Sequence, residues 1–548
     1  MPNRAKKQNY MHGAMILTIG VIIMKILGAI YKIPLGNILG DEGYSMFISS
    51  YSIYNIFFTL ATAGLPVALS RLIAEADANG RVKQEEKTFK TAFWTFFVIG
   101  LLFASIMFFF PEWLAEKYLE NPDAALSIKA MSPAIFLVCL VSAYRGYCQG
   151  NGNMIPTTVD EVLEVLFKVI SGLILSTVLI KAGYGLKVGS AGAILGVSIG
   201  SVVSLSYMVI YRRRNYKALA APYTGNATHD DPPAADDIPD STAKIIKDIL
   251  RIGIPIALGA SIMAILNSVD SKLCMNRLQS AAGFSYSEAK VLYGIYGKAQ
   301  TIFNLPAAFI TPLTVSIVPA IAAAIAKHHT DESSRVSEDS LRISAVISMP
   351  MSVGIAVMSY AIMNLLYPGS NEAGPGLLSI MGISSFFVCI TLMENAILQA
   401  SGRERLPMYA MITGSLVKIA VNWFLVANRS INIYGAPVGT LCGYITMAVL
   451  DFVFIFNSLG LKLNLGRIFG RPFACSAIMG VAAFAVYTLF AHTIGNASWL
   501  KLAICAVAAI AAAVVVYILL TVKLSSVTAD DMKLIPGGEK IARILHLS

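Results

Sequence analysis

The feature that most limits what this chain can fold into is the recurrence of uncharged apolar runs of about 20 residues. Residues 91–110, 190–211, 343–366, 472–491 and 502–522 contain no Asp, Glu, Lys or Arg. A helix rises 1.5 Å per residue, so a run of this length crosses a roughly 30 Å hydrocarbon core. Runs that are apolar on every side suit lipid better than a half-wet globular surface. Charged residues make up 14% of the 548 and hydrophobic residues 56%. Soluble domains carry roughly 25% charged residues, so a soluble enzyme of this size would lack the surface it needs.

The pattern predicts an all-α membrane protein with about fourteen spanning helices. The expected spans are 11–35, 44–70, 89–110, 126–148, 156–181, 189–211, 247–271, 291–324, 341–366, 375–400, 406–427, 433–457, 470–492 and 498–522. The opening MPNRAKKQNYMHGAMILTIG pairs a basic start with an apolar run, as a signal peptide does. The run continues to about Leu35 without a small-residue cleavage site, so it reads as a retained first helix.

Loop charge sets the expected orientation. With the N-terminus inside, the inner loops collect RAKK, then Arg71, Arg81, Lys83, Lys87 and Lys90, then Arg212, Arg213, Arg214 and Lys217. Arg403, Arg405, Lys462, Arg467 and Arg471 follow on the same side. Both termini are therefore expected in the cytoplasm. This loop bias also accounts for the net charge of +10 without invoking nucleic acid.

Residues 218–240, ALAAPYTGNATHDDPPAADDIPD, are rich in Pro, Ala and Asp and read as a linker. The expected organisation is an N-lobe at 1–217 (helices 1–6), an acidic linker at 218–245 and a C-lobe at 246–460 (helices 7–12). Helices 13–14 follow at 461–522, and a cytoplasmic tail at 523–548. The lobes echo each other. Ile56-Phe57, Pro66 and Ser70 recur as Ile302-Phe303, Pro312 and Ser316. QGNGNMIP with Lys168 recurs as QASGRERLP with Lys418, again about 250 residues on. Six helices per repeat is even, so the repeats insert the same way up, with a pseudo-twofold axis normal to the membrane.

Ionisable groups inside a bilayer are costly unless they face a cavity or a partner. Lys25 and Lys32 lie two turns apart on one face of the first helix. Lys32 suits snorkelling to the interface, whereas Lys25 sits nearer mid-span. Asp160, Glu161, Glu164 and Lys168 crowd the fifth helix. Glu164 and Lys168 either neutralise each other as an i,i+4 pair or form a polar wall. Tyr44, Tyr51, Tyr54 and Asn55 offer aromatic and amide groups suited to sugars, or else pack as ordinary tyrosines. Asp270, Lys272 and Arg277 mark the seventh helix and Lys298 the eighth. Glu394 stands in an apolar run, and Lys418 and Asn422 lie a turn apart. Asp270 and Glu394 could bind a proton or cation, or sit in a fixed ion pair with Lys418.

Lysines in a low-dielectric cavity favour an anionic ligand, and phosphate or pyrophosphate fits. The expected substrate-binding residues are Lys25, Lys32, Tyr51, Asn55, Glu164, Lys168 and Lys298. The expected coupling or ion-pair residues are Asp270, Glu394, Lys418 and Asn422. No Walker loop, nucleophile elbow or GxGxxG unit occurs. The seven cysteines form no Cys-x-x-Cys pair, and the six histidines show no metal-ligand spacing. No catalytic residue, resident metal or cofactor is expected.

The segments KILGAIYKIPLGNILGDEGYSMF, LATAGLPVALSRLIAEADANG and YRGYCQGNGNMIPTTVDEVLE give the chain a family resemblance. PAAFITPLTVSIVPAIA and LQASGRERLPMYAMITGSLVKIAVNW extend it, so that it spans residues 10–520. The chain resembles the multidrug/oligosaccharidyl-lipid/polysaccharide (MOP) flippase superfamily. Within it, the chain looks most like the polysaccharide-biosynthesis and stage V sporulation protein B branch, which is similar to MurJ-type lipid II flippases. The resemblance implies two lobes around a central cleft, alternating access, and undecaprenyl-pyrophosphate-linked sugars as substrate. Lys25, before Ile26-Leu27-Gly28, matches a basic position of MurJ-type first helices, with Lys where Arg is usual. Lys32 and Lys298 fall near further basic positions. Asp270 resembles an acid that helps bind sodium in some members, whereas Lys418 and Asn422 depart from that pattern.

The chain is thus expected to be a flippase of the bacterial plasma membrane that makes and breaks no bond. Its expected partners are membrane lipid, a lipid-linked anionic saccharide such as lipid II, and cell-wall synthesis proteins. A coupling ion, proton or sodium, is the one accessory. A drug or metabolite antiporter would want an acidic or apolar cavity, which the first-helix lysines oppose. A membrane glycosyltransferase or polymerase would want carboxylates on a sizeable outer loop, and the outer loops are short.

Overall fold

The computed structural model describes residues 10–219, 238–326, 330–370, 372–459, 463–495 and 498–524. Most of the expected linker and nearly all of the tail lie outside them. Every regular element among the described residues is helical, as a chain in lipid requires.

The first unit by packing is Met1–Lys272. It contains α1 (Tyr10–Ala63), α2 (Leu65–Ala78), α3 (Val82–Phe109), α4 (Ala125–Gly150), α5 (Ile155–Lys181) and α6 (Gly185–Leu219). It also takes the greater part of α7 (Thr242–Ser280). The second unit, Leu273–Ser548, holds the end of α7 and α8 (Tyr286–Phe303), α9 (Leu305–Ala326), α10 (Thr330–Val357) and α11 (Ser359–Leu366). It continues through α12 (Ala373–Ala400), α13 (Arg405–Leu425), α14 (Gly435–Leu459), α15 (Arg471–Ile494) and α16 (Trp499–Lys523).

Twelve described segments are long and apolar enough to cross a membrane, against the fourteen expected. The difference arises at two places. Ile19–Ala78 is a 60-residue stretch, about 90 Å at the helical rise and too long for one crossing. Gly40 interrupts it at φ 66° and ψ −172°, a conformation open to glycine. The break falls between the expected spans 11–35 and 44–70. The expected span 291–324 is divided at Asn304 into α8 and α9.

The unit boundary also differs from the linker boundary read from sequence. Ile245 and Ile249 of α7 are buried in one apolar cluster with Leu65, Leu69, Phe89 and Phe96. Gly64 explains the close approach. A Cβ added there would lie 2.1 Å from the Gly253 carbonyl oxygen and 2.7 Å from Ala257 N.

Within the first unit, α5 and α6 meet through glycine. A Cβ at Gly196 would lie 2.5 Å from Gly172 Cα, and one at Gly200 2.4 Å from the Glu164 carbonyl oxygen. Gly192, Gly196 and Gly200 repeat every four residues, the small-residue spacing that lets membrane helices pack backbone to backbone. Within the second unit, Gly435, Gly439 and Gly443 repeat at the same spacing on α14 against α13. A Cβ at Gly196 would be 2.9 Å from the Lys168 carbonyl oxygen, and one at Gly439 3.0 Å from that of Lys418. Lys168 and Lys418 thus hold the same register in the two hairpins.

Gly196→Val is expected to force α5 and α6 apart, because the clash is with backbone that cannot rotate away. Overpacking costs about 1–3 kcal/mol where side chains can move, and this site falls at or above that range. Thermal stability in detergent should drop, with Gly196→Ala intermediate. A valine variant as stable as the parent would contradict the packing described.

Candidate functional site

A cavity of about 450 Å³ opens within the first unit. Its wall includes Lys25, Tyr51 and Tyr54 of α1, Arg145 of α4, and Glu161, Glu164 and Lys168 of α5, with Asn55 beside them. Five of the seven expected substrate residues therefore converge: Lys25, Tyr51, Asn55, Glu164 and Lys168.

The α1 wall is an aromatic stripe. Tyr44, Phe47, Tyr51, Tyr54 and Phe58 alternate three and four residues apart, which keeps them on one helix face. Successive rings are 5.3–5.7 Å apart. Tyr44 is fully buried and acts as core, while Tyr51 and Tyr54 reach the cavity. The sugar-binding reading of the tyrosines thus narrows to these two.

The opposite wall is an ion cluster. Arg145 Nε donates to Asp160 Oδ2 at 2.6 Å, and its Nη2 donates to Glu164 Oε2 at 2.7 Å. Glu161 Oε1 lies 3.9 Å from Arg145 Nη1. Two serines of α6 complete the acceptors. Ser201 Oγ donates to Glu164 Oε1 at 2.9 Å, and Ser204 Oγ donates to Asp160 Oδ1. Asp160 is fully buried and Arg145 is 7% exposed. Such an ion cluster persists in a membrane only where charge and hydrogen bonds are satisfied together.

This arrangement corrects the pairing considered from sequence. Glu164 and Lys168 do not neutralise each other. Glu164 belongs to Arg145, and Lys168 Nζ instead donates to Tyr51 Oη at 3.3 Å. Lys168 also stands over the rings of Tyr51 and Tyr31, at 5.8 and 6.0 Å. Arg145 is the site residue that sequence reasoning missed. The signal was an imbalance, since Asp160, Glu161 and Glu164 have only Lys168 within two turns or so on their own helix, Lys181 standing at its far end.

Lys25 is exposed at the cavity wall. Lys32, half-buried on the same helix, interacts electrostatically with Lys25 and Lys168 but does not line the cavity. Among the described residues, none of these three lysines has a carboxylate within ion-pair distance. The cavity wall thus carries both signs: Arg145 bonds Asp160 and Glu164, while Lys25 and Lys168 line it beside Tyr51 and Tyr54.

The other expected residues lie elsewhere. Lys298 is buried in the second unit, 5.2 Å above the Tyr367 ring. Asp270 is buried in the first unit, while Glu394, Lys418 and Asn422 belong to the second. Glu394 accepts no hydrogen bond, so the fixed pair with Lys418 does not form. Among the described residues no group of three His, Cys, Asp or Glu is placed to hold a metal.

A polar, charged cavity enclosed by membrane-spanning helices marks a candidate binding site. Residues 10–325 match the family described as polysaccharide biosynthesis protein, and residues 292–424 match MatE. The chain belongs to the polysaccharide biosynthesis protein family and is a multi-pass membrane protein that shares its fold with transporters of the MOP superfamily. It is 23% identical to stage V sporulation protein B of Bacillus subtilis (strain 168), over 97% of this chain and 98% of that protein. It is 23% identical to the lipid II flippase MurJ of the same organism, over 86% and 87%. A solved structure of lipid II flippase MurJ in an inward closed conformation shares the fold, with TM-score 0.60 and 15% identity. That match covers 93% of this chain and 98% of MurJ. An inward-facing MATE-family multidrug resistance transporter of the MOP superfamily gives TM-score 0.65 at 16% identity, over 82% and 98%.

Proposed function

We propose that this protein flips an undecaprenyl-pyrophosphate-linked saccharide, specifically lipid II, from the cytoplasmic to the outer leaflet of a bacterial plasma membrane. The observation that carries this reading is that Arg145 bonds Asp160 and Glu164 while Lys25 and Lys168 stand at the cavity wall with no carboxylate within ion-pair distance among the described residues. These two lysines are left to attract an anion. In a low-dielectric site that attraction is far stronger than in water. Tyr51 and Tyr54 add the flat, amphipathic faces on which sugar rings pack. The polyprenyl tail stays in lipid, so only the headgroup needs the cavity.

Access alternates between the two sides of the membrane, and the loop-charge bias supports cytoplasmic termini. The matched glycine registers of Lys168 and Lys418 support reading the two hairpins as copies of one repeat. A cationic drug as cargo is disfavoured, because Asp160 and Glu164 are already bonded to Arg145.

The test is replacement. In cells depleted of their other lipid II flippases, this chain should restore growth and outward exposure of lipid II. A well-expressed protein that restores neither would overturn the lipid II assignment. Lys25→Ala should express normally and lose the rescue, since it removes a basic group at the cavity wall without touching the core. Full rescue by that variant would remove Lys25 from the site.

A further inference from the structure

The second unit contains two carboxyl groups that the cavity does not use. Glu394 of α12 and Asp451 of α14 are both fully buried. All four of their carboxylate oxygens lack a hydrogen-bond partner. The two groups are close enough to act on each other electrostatically, and their helices pack together. Around them the cluster is apolar, with Met393, Ile397 and Ile455 fully buried in it. Thr391, one turn before Glu394 on the same face, is also buried with its hydroxyl unpartnered.

Among the described residues, no cation forms an ion pair with either acid. Helices α8, α9, α10, α11 and α13 pack against α12. On α8, Lys290 stands over Tyr286 and Lys298 over Tyr367, and Glu288 bonds Ser285. On α10, Arg342 is bonded to Asp339 at 2.8 Å, and Glu338 lies 3.7 Å from Arg467. Arg335 on the same helix, and Arg405 and Lys418 on α13, make no ion pair with either acid. Helices α9 and α11 contribute no charged residue.

Two adjacent ionised carboxylates without partners would each carry a desolvation penalty of several kcal/mol, with mutual repulsion added. Two carboxyl groups that share a buried site avoid both by holding protons, and a protonated carboxyl becomes a donor to its neighbour. We propose that Glu394 and Asp451 form a proton-binding site between the packed helices α12 and α14, in which the buried carboxyl groups are held in their neutral form. Proton loss leaves like charges between two packed helices and drives them apart. The site is independent of what the transporter carries.

The test uses the purified full chain in lipid nanodiscs and infrared difference spectroscopy of the protonated-carboxyl C=O stretch. At neutral pH the parent should show a buried, exchange-protected carboxyl band. Glu394→Gln with Asp451→Asn should lose it while keeping the parent's thermal stability, because amides mimic the neutral form. Raising the pH should lower the melting temperature of the parent more than that of the double variant. A band unchanged in the double variant would overturn the proposal. So would a sodium-dependent rise in melting temperature that the double variant abolishes, which would make the ligand sodium. Should the double variant fail to fold, Glu394→Gln alone must still remove part of the band. None of these readouts involves cargo, so failure of lipid II flipping leaves the site standing, and loss of the site leaves the cargo assignment untouched.

Discussion

Arg145→Met should destabilise the first unit by about 3–5 kcal/mol, the usual result of removing one partner from a buried charge pair. Asp160 and Glu164 would be left facing each other with only Ser201 and Ser204 as donors. Part of the loss should be recoverable. Adding Asp160→Asn and Glu164→Gln removes the stranded charges, and the triple variant should melt well above the single one. Heating in detergent followed by size-exclusion chromatography measures both. A single variant as stable as the parent would mean that the cluster is not held by Arg145.

Lys168→Glu should abolish transport while sparing the fold. Among the described residues the side chain bonds only Tyr51, at 3.3 Å, and belongs to no ion pair, so the core does not depend on its charge. At the site the effect is double, since an attraction is removed and a repulsion is added. One charge pair at 4 Å is worth about 4 kcal/mol at an effective dielectric constant of 20. Reversing the sign should therefore lower affinity for a pyrophosphate headgroup by several orders of magnitude. Lys168→Arg should keep much of the activity. Binding to the purified protein in nanodiscs, with expression as the control, separates the site effect from misfolding.

Much of this architecture was legible in the chain because one physical rule governs it. Uncharged runs of spanning length must be helices in lipid, and most of the expected spans coincide with single described helices, whereas 291–324 and 341–366 are each divided in two. The same rule picked out Lys25, Glu164 and Lys168, since a charge in such a run needs a reason. What the rule does not supply is the partner. Helical spacing showed that Glu164 and Lys168 share a face, but only the packing of α4 on α5 reveals that Glu164 belongs to Arg145. Asp451 was missed for a different reason. It carries the same signal as Glu394, a lone acid in an apolar run, and becomes informative only when α12 and α14 are seen together. The break at Gly40 and the assignment of α7 to the first unit also depend on tertiary contact. Gly64 has no meaning in sequence until Gly253 and Ala257 lie against it.

The central claim is that the lysines and tyrosines of the cavity wall accept an anionic, lipid-linked saccharide. It is tested most directly by flipping in proteoliposomes. Labelled undecaprenyl-pyrophosphoryl saccharide, the same saccharide on a neutral lipid, and a cationic dye would be compared side by side. The pyrophosphate lipid should cross in the presence of the protein, with the neutral lipid and the dye at background and Lys25→Ala and Lys168→Glu inactive. Transport of the dye with no movement of the pyrophosphate lipid would contradict the account.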